Sequence, residues 1–191
     1  MNRFRSALAC AAALATVAFT AWLSPLPAKA NTLDLSTWTD LNSGKCLGVY
    51  GGNMTNGTSI VQWTCNGNPD QTWEVQTVSG TPGNPTWTQI QNYQDPSKCL
   101  GVYGSGTSVP TNLVIWDCNG HADQEWQFVP WQVDSRGAPA GCFVIQNQNA
   151  AGKVIGVFNA DTSDGAQTVI WDNLSEQGHH DQVWCPFALN G

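Results

Sequence analysis

The segment Lys45–Tyr50 reads KCLGVY, and the pattern returns as KCLGVY at Lys98–Tyr103 and as KVIGVF at Lys153–Phe158. A second pattern, with tryptophan at its fourth position, follows each copy: IVQWTC at Ile60–Cys65, LVIWDC at Leu113–Cys118 and TVIWDN at Thr168–Asn173. A third pattern, of the form Q-x-W, closes each copy at Gln71–Trp73, Gln124–Trp126 and Gln182–Trp184. Three patterns that recur in the same order predict three copies of one structural unit.

The spacing within these units is constant. The glycine of the first pattern and the tryptophan of the second keep one and the same separation, at Gly48 and Trp63, Gly101 and Trp116, and Gly156 and Trp171. The units also follow one another at nearly equal intervals, from Gly48 to Gly101 and from Gly101 to Gly156. A unit of this length cannot bury its own apolar face, so we expect the three units to share one core.

Each unit carries the local signals of β-strands. Short runs rich in Val, Ile, Thr and Trp are separated by turn-forming clusters. These clusters are Gly51-Gly52-Asn53, Asn56-Gly57, Asn66-Gly67-Asn68-Pro69, Asp95-Pro96-Ser97 and Asp164-Gly165. No stretch beyond Ala30 keeps a helical apolar period. About four short strands fit into each unit, which predicts an all-β protein of about twelve strands.

The segment 1–30 has the pattern of a secretory signal peptide. Arg3 and Arg5 give a positive start, and the segment 7–19 forms an apolar run. The segment 28–30 reads A-K-A, an A-x-A cleavage signal before Asn31. A membrane anchor is the alternative, but the run is short for a spanning helix and two prolines interrupt its end. We therefore expect a secreted, extracellular protein whose mature form has no membrane span.

The charge balance argues against nucleic acid as a partner. The chain has 191 residues, with 7 basic and 14 acidic side chains, a formal net charge of −7 and a pI near 4.5. Three of the basic residues and no acid belong to the predicted leader, so the remaining chain carries −10. No basic patch is present to neutralise phosphates. The low charge content does not indicate disorder, because the chain is rich in tryptophan.

Threefold four-stranded units that end in Q-x-W resemble the ricin B-type β-trefoil lectins, a family of carbohydrate-binding modules. The resemblance covers about Leu33 to Leu189 and includes the Lys-Cys-Leu-x-Val and Trp-x-Cys segments. It implies a β-trefoil in which the first and fourth strands of each unit form a six-stranded barrel capped by the middle hairpins. We expect a leader at 1–30 and one domain at 31–191, with units at about 33–81, 82–134 and 135–191.

Six cysteines follow the leader, and an even number in an exported chain indicates disulfides. The family plan implies that Cys46 pairs with Cys65 and Cys99 with Cys118, and the two pairs have the same separation along the chain. The third unit lacks this pair, and the plan implies Cys142 with Cys185 instead, since they lie in neighbouring first and fourth strands. A zinc site is the alternative, but no C-x-x-C spacing supports it.

The family binds sugar in shallow pockets, where an aromatic ring stacks on the apolar face of the sugar and polar groups bind its hydroxyls. Each pocket uses an early Asp on the first pattern, an aromatic residue on the second, and a polar residue before the Q-x-W glutamine. This chain has glycine in place of the early Asp in all three units, at Gly48, Gly101 and Gly156. The candidate carbohydrate-binding residues are Tyr50, Trp63, Asp70 and Gln71; Tyr103, Trp116, Asp123 and Gln124; and Phe158, Trp171, Asp181 and Gln182.

The missing early Asp permits two interpretations. Either the pockets no longer bind sugar, or the carboxylate has moved to the Asp that precedes each glutamine, with glycine allowing close approach of a ligand. The candidate residues also have structural alternatives: the tryptophans as core residues, the aspartates as turn acids and the glutamines as scaffold.

The sequence favours a binding protein over an enzyme. His121, His179 and His180 lie in polar loops, and no hydrolase, zinc-protease or phosphate-binding motif occurs. We expect a secreted lectin-like protein that binds polysaccharide or glycoconjugate without a metal or another cofactor. The alternative is a trefoil that serves as a protein-interaction module, such as a protease inhibitor or a toxin-associated targeting subunit.

Overall fold

Each unit contributes four strands to the fold. The computed structural model describes residues 35–81, 84–131 and 141–188, and the predicted leader lies outside these ranges. The strands are Leu35–Asp40 (β1), Cys46–Val49 (β2), Ile60–Trp63 (β3), Trp73–Thr81 (β4), Asn84–Asn92 (β5), Lys98–Val102 (β6), Thr111–Asp117 (β7), Glu125–Pro130 (β8), Phe143–Asn147 (β9), Lys153–Val157 (β10), Thr168–Asp172 (β11) and Trp184–Ala188 (β12). The helices are short 3-10 turns at Tyr50–Gly52, Pro69–Gln71, Tyr103–Ser105, Ala122–Gln124, Phe158–Ala160, Ser175–Gln177 and His180–Gln182. Within the described ranges, none of them has the length and apolar character needed to cross a membrane.

Six of the strands close into a barrel. The first and fourth strands of the units pair antiparallel in a ring that runs β1, β4, β5, β8, β9, β12 and back to β1. Closure leaves the ring without a free edge. The remaining strands form three hairpins, β2–β3, β6–β7 and β10–β11.

The three hairpins contact one another. Strand β7 pairs with β11, and isolated bridges join Ser59 to Val114 and Val61 to Gln167. A six-stranded barrel with three interlocking hairpins is the β-trefoil predicted from the sequence, and that prediction is confirmed.

The Q-x-W tryptophans lie in the core. Trp73, Trp126 and Trp184 are fully buried. Their indole nitrogens donate hydrogen bonds to the backbone carbonyls of Leu47, Leu100 and Ile155, at 2.9, 3.0 and 3.1 Å. Each acceptor directly precedes the glycine of the first pattern. The core therefore fixes the strand that carries this glycine, in all three units.

Three disulfides reinforce this arrangement. Cys46 is bonded to Cys65, and Cys99 to Cys118, with Cα–Cα distances of 5.1 and 5.0 Å, so each bond closes the middle hairpin of its unit. Cys142, just before β9, is bonded to Cys185 in β12. Closing a loop of about 20 residues stabilises a fold by about 3 kcal/mol in the loop-entropy model.

Candidate functional site

Three clefts of the same construction recur, one in each unit. Each lies between the second strand, the third strand and the 3-10 turn that ends in the Q-x-W glutamine. The first cleft is lined by Gly48, Tyr50, Trp63, Asp70 and Gln71, the second by Gly101, Tyr103, Trp116, Asp123 and Gln124, and the third by Gly156, Trp171, Asp181 and Gln182. Their volumes are about 570, 280 and 300 Å³ in that order.

The Q-x-W glutamines hold the loop that shapes each cleft. The Gln71 side chain accepts a hydrogen bond from the backbone N–H of Asn66 at 3.0 Å and donates one to the carbonyl of Thr64 at 3.1 Å. Gln124 and Gln182 make the same pair of backbone hydrogen bonds, at 2.7–2.9 Å. Both polar ends of each amide are thus engaged by the backbone, which gives the glutamines a structural role in the cleft wall.

The cleft glycines leave room for the following glutamine and aspartate. A Cβ atom on Gly48 would lie 2.9 Å from Cγ of Gln71 and 3.4 Å from Oδ2 of Asp70. The corresponding distances are 3.0 and 3.5 Å in the second cleft, and 3.0 and 3.6 Å in the third. Cβ atoms essentially never approach another heavy atom within 3.0 Å. The aspartate carboxylate therefore occupies the neighbourhood that a side chain at the glycine position would enter.

The cleft carboxylates are partly removed from water. Burial raises the pKa of Asp70, and a hydrogen bond from its own backbone amide acts in the opposite direction. Burial also raises the pKa of Asp181, while its own amide and then His179 lower it. The Nδ1 atom of His179 lies 3.6 Å from Oδ1 of Asp181. No Lys or Arg among the described residues pairs with Asp70 or Asp123, so these carboxylates are open to a hydrogen-bond donor in the cleft.

The tryptophans of the second pattern are only partly buried. Trp63 is 38% exposed and Trp116 is 41% exposed, and Trp171 is half-buried. The ring of Tyr50 meets that of Trp63 edge-on, with centroids 6.3 Å apart. Core packing therefore does not account for these indoles, since each leaves part of its ring facing the cleft.

Turns from neighbouring units support two of these indoles. A Cβ atom on Gly165 of the third unit would lie 3.4 Å from Cζ3 of Trp63, and one on Gly57 of the first unit would lie 3.5 Å from Cζ3 of Trp116. In both turns, the side chain of the residue before the glycine accepts a hydrogen bond from the backbone N–H of the residue after the tryptophan. Asp164 accepts from the N–H of Thr64 at 2.7 Å, and Asn56 accepts from the N–H of Asp117 at 3.0 Å.

The structure brings most of the predicted residues together. Tyr50 and Tyr103 lie in their clefts, but Phe158 lies beside Trp171, with ring centroids 6.3 Å apart, and outside the residues that line the third cleft. Sequence reasoning missed several polar lining residues. These are Asn66, Asn68, Gln94, Asn119, Asn159 and His179. Most of them belong to polar loops beside the patterns, and this position is the signal that could have identified them.

The chemistry available in the clefts is that of binding. Each offers a partly exposed indole, a desolvated carboxylate and loop amides. Aromatic faces stack on apolar ligand surfaces, and carboxylates accept hydrogen bonds from hydroxyl groups. The described residues contain no group of three or more His, Cys, Asp or Glu side chains that could hold a metal ion.

Comparison with protein families gives two overlapping matches. The model of the ricin-type β-trefoil lectin domain matches residues 86–184, and that of a ricin-type β-trefoil lectin domain-like family matches residues 32–116. Together they span the strands that build all three clefts. No curated protein matches the sequence.

Several solved structures share the fold. The designed threefold symmetric protein ThreeFoil superposes with a TM-score of 0.70 at 22% identity, covering 82% of this chain and 99% of its own. An exo-β-1,3-galactanase from Clostridium thermocellum matches at 0.69 and 27% identity, covering 82% of this chain but only 30% of the galactanase. A ricin B-like lectin from Macrolepiota procera, solved in complex with lactose, matches at 0.60 and 16% identity, over 83% of this chain and 98% of the lectin.

Proposed function

This chain belongs to the ricin-type β-trefoil lectin domain family, and we propose that it is a secreted protein that binds polysaccharide or glycoconjugate through its three clefts, without a metal ion. One observation, repeated in all three units, carries the proposal: a partly exposed tryptophan faces a desolvated aspartate in each cleft. If the clefts had lost their function independently, we would not expect the same tryptophan and aspartate to remain in all three.

The first cleft illustrates the proposed mode of binding. The apolar face of a sugar ring stacks on the exposed part of the Trp63 indole. The Asp70 carboxylate accepts hydrogen bonds from sugar hydroxyls, and the desolvation that raises its pKa strengthens such bonds. Gly48 keeps the opposite wall free of side-chain atoms. The aspartate thus takes over the role of the early family Asp that glycine replaces.

Binding at each cleft is weak, and the overall avidity for the glycan comes from the use of several clefts at once. A shallow, open site immobilises little of its ligand, whereas three sites on one rigid domain can engage successive sugars of one polymer or a clustered glycan. Once one cleft is occupied, the others bind at a high effective concentration, which raises the avidity above the affinity of a single cleft.

The remaining features of the chain fit an exported, non-catalytic role. Cleavage after Ala30 would release residues 31–191 as one β-trefoil domain, and three disulfides are typical of proteins outside the reducing cytosol. His121, His179 and His180 serve as polar loop residues rather than as catalytic groups.

Affinity electrophoresis of the mature protein tests the proposal. Gels would contain soluble polysaccharides, with β-1,3-galactan and a lactose-bearing polymer among them because of the proteins that share the fold. We expect retarded migration that persists in EDTA and is lost in a triple Trp63→Ala, Trp116→Ala, Trp171→Ala variant. Tyr93→Ala is the matched control, since Tyr93 is 53% exposed and lies outside the cleft linings.

Three results would count against the proposal. Loss of retardation in EDTA would contradict metal-free binding. Equal retardation of the wild type and of the folded triple variant would place binding outside the clefts. Absence of binding to a broad glycan array at millimolar sugar would mean that the clefts bind no sugar, and the protein-interaction alternative would replace the lectin function.

A further inference from the structure

Three polar side chains occupy equivalent places beside the core tryptophans. In the barrel, Asp40 of β1 lies opposite Trp184, Asn92 of β5 opposite Trp73, and Asn147 of β9 opposite Trp126. All three residues are buried and each is the last of its strand. The unit symmetry therefore allows the contacts of Asp40 to be compared with those of two asparagines in the same chain.

The two asparagines connect the barrel to a cleft. The Nδ2 group of Asn92 donates a hydrogen bond to the backbone carbonyl of Asp70 at 3.0 Å, and that of Asn147 donates to the backbone carbonyl of Asp123 at 3.0 Å. Their Oδ1 atoms accept from backbone N–H groups two or three positions later, at 3.0 and 3.1 Å. Each asparagine thus fixes the backbone of the aspartate that faces its cleft.

Asp40 reproduces only half of this arrangement. Its Oδ2 accepts from the backbone N–H of Ser43 at 2.9 Å, as the asparagine oxygens do. Its Oδ1 takes the place of the Nδ2 group and has no hydrogen-bond partner among the described residues, although Asp40 is only 1% exposed. By symmetry the group across from Oδ1 is the backbone carbonyl of Asp181. A proton on Oδ1 would satisfy both oxygens of such a pair, whereas two bare acceptors away from water would leave each other unpaired.

We propose that at mildly acidic pH Asp40 is protonated in the folded protein and donates a hydrogen bond to the backbone carbonyl of Asp181, which makes it a positioning residue of the third cleft. The protonated acid has the same donor and acceptor pattern as asparagine. The hydrogen bond itself does not depend on the proposed function, whereas its effect on sugar binding rests on it.

The charges around Asp40 agree with this assignment. Burial raises the pKa of Asp40 to about 6, the hydrogen bonds with Ser43 oppose the rise, and the charge of Asp181 adds to it. His179 and His180, beside Asp181, lower the pKa of Asp181. Lys45, which follows β1, binds Asp164 at 2.7 Å. Cys46 and Cys185, on the strands that flank β1, are in disulfides and do not titrate.

The direction of the pH effect follows from these values. The folded pKa of about 6 lies above the ordinary 3.8, so the folded state holds this proton more tightly than the unfolded state. The stabilisation is complete below pH 3.8 and is lost as the pH rises through 6. Above that pH, the ionised carboxylate repels the carbonyl and the carboxylate of Asp181, and the wall of the third cleft loses its anchor.

The first experiment measures stability and protonation, with no sugar present. A shift of this size corresponds to about a hundredfold change in the folding equilibrium. Relative to Asp40→Asn, the wild type should therefore lose about a hundredfold in folding constant between pH 4 and pH 7.5, measured by urea unfolding. The carboxyl carbon of Asp40 should titrate near pH 6 by NMR. A midpoint near 4, or the same pH dependence in wild type and Asp40→Asn, would overturn the proposal.

A matched variant makes the opposite substitution, from asparagine to aspartate. Asn147→Asp places a carboxyl at the equivalent position of the second cleft and should create a new titration in the same pH range, with loss of stability towards neutral pH. A carboxyl at position 147 that stays ionised with no loss of stability would contradict the symmetry argument. Asn147→Asp in the Asp40→Asn background should move the pH dependence from one cleft to the other.

The second experiment measures the third cleft alone. In a Trp63→Ala, Trp116→Ala background, retention on immobilised lactose should fall several-fold as the pH rises through 6, and Asp40→Asn should remove this fall. Retention that depends on pH identically with Asp40 and Asn at this position would contradict the positioning role. Absence of retention on lactose and on every other glycan of the array would count against the proposed lectin function, while the NMR and unfolding measurements would still decide the protonation of Asp40.

Discussion

The Oδ2 atom of Asp70 lies 3.4 Å from the point at which a Cβ atom on Gly48 would stand. The same relationship recurs between Asp123 and Gly101 at 3.5 Å, and between Asp181 and Gly156 at 3.6 Å. These distances are ordinary van der Waals contact, so the carboxylate of an acid on the second strand would lie close to the carboxylate before the Q-x-W glutamine. The glycines are thus part of the site, because a Cβ atom there would press on the Q-x-W glutamine and contact the carboxylate of the opposite wall.

Restoring an acid on the second strand should cost less stability when the charge of the other acid is removed. Gly48→Asp forces a Cβ atom against Gln71 and places two carboxylates together, so we expect a loss of about 1–3 kcal/mol in unfolding free energy. Asp70→Asn should recover part of this loss, which a double-mutant cycle measures. Gly101→Asp combined with Asp70→Asn is the control, because these residues lie in different clefts, and it should be additive. Because Asn keeps the shape of Asp, the coupling measures the repulsion between the two carboxylates, and additivity in the first pair would contradict their close approach.

Removing the cleft charge should weaken sugar binding without unfolding the domain. Asp70→Asn, Asp123→Asn and Asp181→Asn keep the shape of the side chain, and each should cost about 1–3 kcal/mol in binding free energy at its own cleft, the value of a charged hydrogen bond. Titration calorimetry on single-cleft variants measures the change, and Glu176→Gln, an exposed charge outside the cleft linings, is the control. Unchanged affinity would reduce the three aspartates to turn acids.

Substitution by alanine should have different effects at the cleft tryptophans and at the core tryptophans. Trp63→Ala, Trp116→Ala and Trp171→Ala remove partly exposed rings, and each should reduce retention on the glycan while the protein stays folded. Trp73→Ala removes a fully buried ring and should cost about 3–5 kcal/mol in unfolding free energy. Thermal unfolding and retention measured on the same samples decide between the two roles. If all three cleft variants unfold, the indoles are core residues.

Binding at the first cleft should decline at acid pH. The ionised Asp70 carboxylate accepts hydrogen bonds from sugar hydroxyls more strongly than the protonated acid does, and burial raises its pKa above 3.8. Protonation, and with it the loss of affinity, should therefore begin at a higher pH than for an ordinary aspartate. A raised folded pKa also means that this group makes the fold more stable, not less, as the pH falls, so the loss cannot be ascribed to Asp70-driven unfolding. Affinity measured in a Trp116→Ala, Trp171→Ala background should show this decline, and Asp70→Asn should not.

Each of the two turns that support an indole should affect sugar binding at one cleft only. Asp164→Ala removes the acceptor for the Thr64 N–H and the ion pair with Lys45, and should weaken the first cleft alone. Asn56→Ala removes the acceptor for the Asp117 N–H and should weaken the second cleft alone. Each variant is the control for the other. Equal effects of both variants on both clefts would show a general loss of stability rather than support of one indole.

The repeat patterns carried enough information to predict the trefoil and the position of its core. Three units in register determine which strands become equivalent, and the glycine-to-tryptophan spacing places both residues in one cleft. The support of Trp63 by Gly165 could not be read in the same way, because these residues belong to different units and meet only once the hairpins pack. Asn56-Gly57 and Asp164-Gly165 were recognisable as turns, but not as neighbours of an indole.

The roles of Asp40 and Phe158 depended on details that the patterns do not contain. Asp40 lies outside the three motifs, and its equivalence to Asn92 and Asn147 becomes visible only from strand register. Phe158 follows the same pattern as Tyr50 and begins an equivalent 3-10 turn, yet it lies outside the lining of its cleft.

An NMR titration of the mature protein with a binding glycan, in EDTA, tests the central claim most directly. The indole N–H signals of Trp63, Trp116 and Trp171 should shift in proportion to occupancy, while those of the core residues Trp73, Trp126 and Trp184 stay fixed. Shifts confined to residues outside the clefts, such as those around Tyr93 or Phe187, or no shift in any cleft indole at saturating glycan, would contradict the account.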